Sequence, residues 1–87
     1  MAMSITTYRI TDGRQVRAVR AMLGMTQAEL GQAAGVHRMS INNAEKRQRL
    51  PPRSWAAEQV AKYGAENGIV ADVVDGVPVV RVQSPAA

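Results

Sequence analysis

Cysteine is absent from this sequence, and histidine occurs once, at His37. Without cysteine there can be no disulfide and no thiolate-bound metal, and one histidine cannot form a zinc site alone. No apolar run is long enough to span a membrane, and Met1–Ile10 lacks the basic start and apolar run of a secretion signal. We therefore expect a cytoplasmic protein with no cofactor and no membrane contact, whose 87 residues form a single domain over 1–87.

Positive charge is concentrated in the first two thirds of the chain. Residues 9–53 carry nine Lys or Arg against three Asp or Glu, residues 54–87 carry two against four, and the net charge is +4. A basic front indicates an anionic partner on that side of the protein. Charge alone does not separate such a partner from an ordinary solvated surface, because +4 is not extreme for a small protein.

The first predicted helix begins after Thr11 or Asp12, since a short side-chain oxygen there can satisfy exposed backbone N–H groups. Apolar residues then recur at helical spacing until Gly24, which is suited to end the helix. On the same pattern Met22 and Met25 are predicted to lie in the core.

Two short helices follow. Thr26 with Glu29 three residues later is typical of a capping box, which predicts a second helix over about 27–34. Gly35 suits a turn with positive φ, and a third helix is predicted over about 37–46. The contacts between these two helices would come from apolar side chains, namely Leu30, Ala34, Val36, Ile41 and Ala44. Such a pair crosses steeply and presents its second helix outward.

A fourth helix is predicted from Pro52, which suits a first helical position, to about residue 67. Trp55 and Tyr63 fall at helical spacing, and both are predicted to belong to the core rather than to a base-stacking surface. The preceding Arg47–Arg53 is a basic connector.

The last third of the chain predicts a β-hairpin over 69–82. Asp75-Gly76 lies between two runs rich in β-branched residues, which is the strongest short-range hairpin signal. Pro78 cannot donate to a strand ladder, so its strand must leave that position unpaired, as an edge does. Ser4–Ile10 is a candidate third strand beside the hairpin.

The segment TQAELGQAAGVHRMSINNAEK, residues 26–46, resembles the helix-turn-helix of the Cro/repressor-like, or XRE, family. The preceding VRAVRAMLGM resembles that family's first helix, and the resemblance covers roughly residues 12–69. It implies a mainly α fold with a small β element, in which 12–68 form a four- to five-helix DNA-binding domain. The 69–82 hairpin is predicted to be a dimerisation element, because it carries more apolar side chains than one small sheet face can bury against four helices. The chain departs from the family at His37, where Ser or Thr usually caps the third helix, so we expect the His37 side chain to face a phosphate instead.

The resemblance also implies a role for individual side chains. Base edges would be contacted from the third helix by Arg38, Met39 and Asn43, and Asn42 beside them could contact either a base or a phosphate. DNA phosphates would be contacted by Gln27, Lys46, Arg47 and Arg49, to which the departure at His37 adds a fifth residue. Arg20 and Glu45 match a salt bridge that joins the first helix to the end of the third. The chemistry of these residue types agrees, because Arg can pair with guanine through two hydrogen bonds and Asn with adenine.

Three functions remain open on the sequence. The first is a transcriptional regulator that binds double-stranded DNA at a palindromic operator as a homodimer, with a regulatory protein partner as an additional possibility. The second is an antitoxin or adaptor that uses the same fold to bind protein. The third is non-specific nucleoid binding. Enzyme chemistry has little support, since there is no Gly-rich phosphate loop followed by Lys-Ser/Thr and only His37 to pair with a serine.

Overall fold

The computed structural model describes residues 8–83 of the chain. The elements within this range are α1 (Gly13–Leu23), α2 (Gln27–Ala34), α3 (Arg38–Glu45), α4 (Trp55–Glu66), β1 (Ile69–Val74) and β2 (Val77–Val82). The mainly helical fold and the C-terminal hairpin are therefore confirmed, with four helices rather than five. In the described range no helix has the length and apolar character needed to cross a membrane.

α1 is capped at both ends, by side chains at its start and by a glycine at its end. The Asp12 side chain accepts from the Arg14 N–H, and the Gln15 side chain accepts in return from the backbone N–H of Asp12, which completes a capping box. Gly24 ends the helix in the left-handed region, at φ 68°. Val16 and Val19 are fully buried, whereas Met22 is 44% exposed, so the prediction that Met22 belongs to the core is wrong. Met22 lies on the side of α1 that faces β2, at an open groove.

α2 and α3 form the predicted pair. The Thr26 hydroxyl accepts from the Glu29 N–H, and the Glu29 carboxylate accepts from the Thr26 N–H. Gly35 ends α2 at φ 74°, as its place in the turn predicts. Gly31 allows the tight turn, because an added Cβ there would lie 2.5 Å from the carbonyl oxygen of Val36.

α4 differs from its prediction in its start and in its buried face. Pro52 lies in a turn rather than in the helix, and Ser54 is the cap, with its hydroxyl accepting from the Ala57 N–H. The face turned to the core is built of small residues, namely Ala57, Val60, Ala61 and Gly64. Trp55, in the first turn, projects beyond the core and is 58% exposed, so its predicted burial is wrong. Tyr63 is half-buried against the core.

The hairpin has the predicted two-residue turn. Asp75 and Gly76 both have positive φ, at 52° and 78°, which defines a type I′ turn. β1 and β2 pair antiparallel from Val74–Val77 at the turn to Ile69–Val82 at the open end. β1 covers the helices, with Ile69, Val70 and Ala71 buried, so the hairpin is part of the core.

The buried side chain of Gln15 joins the hairpin to α1 through hydrogen bonds. The Gln15 Nε2 lies 2.9 Å from the carbonyl oxygen of Asp72, 3.1 Å from that of Val79 and 3.1 Å from that of Arg9. Its Oε1 accepts from the Thr11 N–H at 2.8 Å. One amide therefore bridges α1, both strands and the segment before α1.

The candidate strand Ser4–Ile10 falls partly outside the described residues, which begin at Tyr8. Tyr8–Ile10 is not assigned as a strand, but the Arg9 N–H donates to the carbonyl oxygen of Ala71 at 2.6 Å. This segment therefore runs beside β1, on the edge of that strand away from β2.

Candidate nucleic-acid interface

α3 has one buried and one exposed face. Ile41 and Ala44 pack into the core between α2 and α4, and the Glu45 side chain is buried beside them. The exposed face carries Arg38, Met39, Ser40 and Asn43. Met39 is apolar and yet 47% exposed, so this face of α3 offers an apolar contact beside its polar side chains. A groove at the start of α3 brings together residues of α1, α2 and α3, among them Arg20, Gln27, Arg38 and Asn42.

His37 is the N-cap of α3. Its Nδ1 accepts from the backbone N–H of Met39 at 3.1 Å, in the place where a Ser or Thr oxygen usually accepts. The expectation that this histidine does not cap is therefore wrong. Since Nδ1 acts as an acceptor, the ring proton of a neutral His37 lies on Nε2, which leaves that N–H as a donor.

Gln27, in the first turn of α2, reaches across to α3. Its Nε2 donates to Asn42 Oδ1 at 3.3 Å and to Glu45 Oε1 at 3.2 Å. The amide group of Asn42 is thereby held with its oxygen towards α2, so its NH₂ group remains as the donor side. Gln27 fixes the orientation of a side chain at the start of the groove.

Glu45 is the centre of the polar contacts between α1 and α3. Arg20 donates from Nε to Oε2 at 2.7 Å and from Nη2 to Oε1 at 3.0 Å, and Arg17 Nε lies 3.6 Å from Oε1. Burial alone would raise the pKa of Glu45. Hydrogen bonds from Arg20 and Gln27, with the charges of Arg20 and Arg17, outweigh that effect and hold its pKa below the ordinary value. Glu45 is thus ionised at neutral pH although its side chain is only 2% exposed.

The connector after α3 carries exposed cations on an anchored backbone. Lys46, Arg47 and Arg49 are all exposed. The carbonyl oxygen of Arg47 accepts from the Gly13 N–H at 2.9 Å, and the Leu50 N–H donates to the carbonyl oxygen of Thr11. The connector is therefore tied to the start of α1 at two points, and its cations lie next to the end of α3.

The residues predicted to contact bases lie on α3 itself, and those predicted to contact phosphates lie at the start of α2, at the cap of α3 and in the connector. Arg17 was missed by the sequence reasoning. Its spacing of three residues from Arg20 puts both on one helix face, which is the signal that could have found it.

Comparison with known families agrees with this geometry. Residues 16–54 match the Helix-turn-helix family model, a stretch that contains most of α1, all of α2 and α3, and the connector. The match supports a helix-turn-helix of the Cro/XRE type over these residues, in agreement with the resemblance seen in the sequence. No significant match was found among curated proteins or among solved structures.

Proposed function

We propose that this protein is a sequence-specific transcriptional regulator whose α3 reads base pairs in the major groove of an operator. The observation that carries the proposal is the division of α3 into a face packed against the core and a face that holds Arg38, Met39 and Asn43 in solvent. A helix with this division, exposed beside a second helix, fits the width of the major groove.

Each exposed residue type has a base edge that it can recognise. The Arg38 guanidinium can donate two hydrogen bonds to O6 and N7 of guanine, and the Asn43 amide can pair with N6 and N7 of adenine. Met39 offers an apolar contact to the methyl group of thymine. Asn42 has its oxygen engaged by Gln27, so in the proposal it acts through its NH₂ group.

The phosphate contacts are proposed for the side chains that flank α3. Lys46, Arg47 and Arg49 supply cations at its end, and His37 supplies an Nε2–H at its start. Gln27 lies near the same groove, and because its NH₂ group already donates to Asn42 and Glu45, its contact with a phosphate would replace one of these two hydrogen bonds. Such contacts fix the position of the protein on the duplex and make the affinity depend on salt.

This proposal is tested by selecting bound sequences from random duplex DNA. The selected site is then titrated with the protein at several salt concentrations. We expect one preferred site and an affinity that falls as salt increases. Equal affinity for all duplexes would replace the proposal with non-specific nucleoid binding. Absence of binding at low salt would contradict DNA recognition and favour the protein-binding alternative.

We further propose that the protein binds a palindromic operator as a dimer built through the outer edge of β2. Val77 and Val82 are 57% and 67% exposed, which is a large apolar surface for one short strand. In the observed register the backbone N–H groups of Val80 and Val82 point away from β1, where they are available to a second strand. Pro78 has no N–H at the corresponding outer position, so pairing would centre on Val80–Val82.

A dimer of this kind is tested by Val82→Asp, compared with Val74→Asp on β1. Both positions are half or more exposed, so both variants should fold. We expect Val82→Asp to weaken self-association in sedimentation and to weaken operator binding, and Val74→Asp to leave both unchanged. Deletion of the hairpin is a poorer test because it would also remove the buried residues Ile69–Ala71. A wild-type protein that binds its operator as a monomer would overturn the dimer proposal.

The same apolar edge is what favours the alternative of an antitoxin or adaptor. Its partner would be a protein that covers Val77 and Val82 in place of a second copy. A chain that remains monomeric by sedimentation, binds no duplex and captures one defined protein through this edge would support that alternative.

A further inference from the structure

Two arginines approach the same buried carboxylate from α1, but they are bound to it very differently. Arg20 uses Nε and Nη2 for Glu45, and its Nη1 donates to the carbonyl oxygen of Met25 at 3.2 Å. Arg17 comes no closer to Glu45 than 3.6 Å, and its side chain is 64% exposed, against 24% for Arg20. Each of the three nitrogens of the Arg20 guanidinium thus has a partner inside the protein, while Arg17 is oriented by charge with its side chain mostly in solvent.

The position of Arg17 is set by the close packing of α1 on the end of α3. Gly13 lies directly against the carbonyl oxygens of Ala44 and Arg47, and it also donates its N–H to Arg47. Arg17 is one helical turn after Gly13 and lies on the same face of α1. Its guanidinium is therefore beside the last turn of α3, next to the point where the cationic connector begins.

The charge at this junction is not balanced. Glu45 offers one negative charge to two guanidinium groups, and Arg20 already satisfies both of its oxygens. The junction retains a net charge of about one positive unit, which is exposed on the Arg17 side. A cation that is already oriented but not neutralised can bind a phosphate well, because its side chain loses little conformational entropy on binding.

We infer that Arg17 binds a phosphate of the DNA backbone, in addition to the contacts proposed for the connector. This inference rests on the proposed DNA-binding function and adds α1 to the surface that contacts the duplex. Glu45 then has two functions: it closes the α1–α3 junction through Arg20, and it orients Arg17 towards the nucleic acid. Neither the family roles nor the charge pattern along the chain assigns this contact.

The experiment uses the full chain and a fluorescently labelled duplex of random sequence, because the phosphate contribution does not depend on base sequence. Affinity is measured by anisotropy at several salt concentrations for wild type, Arg17→Ala, Arg17→Lys and Lys62→Ala. Removal of one phosphate-binding cation makes the slope of log affinity against log salt shallower by about 0.9. We expect that change for Arg17→Ala, little change for Arg17→Lys, and none for Lys62→Ala, which removes an exposed charge from α4.

Thermal unfolding of the same variants separates a contact with DNA from a contact within the protein. If Arg17 only supports Glu45, Arg17→Ala lowers the melting temperature and leaves the salt slope unchanged, which overturns the inference. An equal change of slope in Lys62→Ala also overturns it, because the effect would then be one of overall charge. If the wild-type protein shows no salt-dependent binding to any duplex, the proposed function fails and the inference fails with it.

Discussion

Arg20 holds Glu45 through two parallel hydrogen bonds, and this pair joins α1 to the last turn of α3. The pair is partly buried, with 24% of the Arg20 side chain and 2% of the Glu45 side chain exposed. A planar fork against a carboxylate is a strong and directional arrangement. The orientation of α3 relative to α1 therefore depends on a contact that can be tested by mutation.

The first prediction is that Arg20 and Glu45 are energetically coupled. In a double-mutant cycle with Arg20→Met and Glu45→Gln, measured by urea unfolding, we expect a coupling above the roughly 0–1 kcal/mol of exposed pairs. It should stay below the cost of about 3–5 kcal/mol for breaking a fully buried pair. The cycle cancels the effect of Glu45→Gln on Arg17 and Gln27. A coupling of zero would contradict the structural role of the pair.

The second prediction is that Glu45 makes the stability of the protein sensitive to acid. The pKa of Glu45 is lowered in the folded state below its ordinary value of 4.5. Its contribution to stability is therefore complete above that pH and is lost as the pH falls through the lower, folded-state value. We expect acidification from about pH 7 to about pH 3 to destabilise wild type more than Glu45→Gln. Asp12, whose pKa is also lowered, chiefly by its hydrogen bond from Arg14, is common to both proteins. Equal acid sensitivity of the two proteins would refute this account.

The third prediction is that Arg38→Ala relaxes specificity at one base pair. Arg38 is the first residue of α3 and is exposed. A bidentate contact to guanine discriminates by about 1–3 kcal/mol. Binding of the variant is compared across a set of operators that differ at single positions, with Lys46→Ala as the control that should weaken all of them alike. If Arg38→Ala weakens every operator equally, Arg38 contacts phosphate rather than a base.

The fourth prediction is that the connector carries much of the salt dependence. Replacement of both Lys46 and Arg49 by Ala should make the salt slope shallower by about 0.9 for each phosphate that is no longer bound. The preferred sequence should remain the same, because phosphates carry no base identity. The backbone anchors of the connector are at Arg47 and Leu50 and are not altered. A slope equal to that of wild type would show that these charges are only solvated.

The fifth prediction is that Gly13→Ala destabilises the protein, although replacement of Gly by Ala in a helix usually stabilises it. In a helix Ala is ordinarily more favourable than Gly by about 0.5–1 kcal/mol. At Gly13, however, a Cβ would overlap the carbonyl oxygens of Ala44 and Arg47. Overpacking of this kind costs about 1–3 kcal/mol, so Gly13→Ala should lower the free energy of unfolding and displace the connector. A stability equal to or above that of wild type would show that α1 can move away from α3 at no cost.

Features that depend on neighbouring residues could be predicted from the sequence. The Thr26–Glu29 capping box and the Asp75-Gly76 turn are decided within four residues, and both are present in the structure. The start of α4 was predicted wrongly because Pro52 and Ser54 are both suitable starting residues, and the turn from Pro51 to Ser54 favours the second. The exposure of Trp55 could not be predicted, because it depends on where the core ends.

The residue types of the candidate site could be predicted from the sequence, but the contacts between their side chains could not. The helix-turn-helix pattern indicates which positions of α3 face outward. It does not indicate that Gln27 holds Asn42, or that Arg17 shares a carboxylate with Arg20. These contacts depend on the angle between helices and on rotamers, which no local pattern specifies.

The contacts of Gln15 have a consequence for the order in which the chain is made. Its carbonyl partners at Asp72 and Val79 lie 57 and 64 residues later in the sequence. During synthesis from the N-terminus, the helix-turn-helix is made before either strand, and the Gln15 amide must meanwhile be hydrated. The Gln15 side chain therefore gains its full set of hydrogen-bond partners only when β2 is in place. A nascent chain arrested before Val79 would hold all the residues proposed to read DNA and yet lack one of the hydrogen bonds that join α1 to the hairpin.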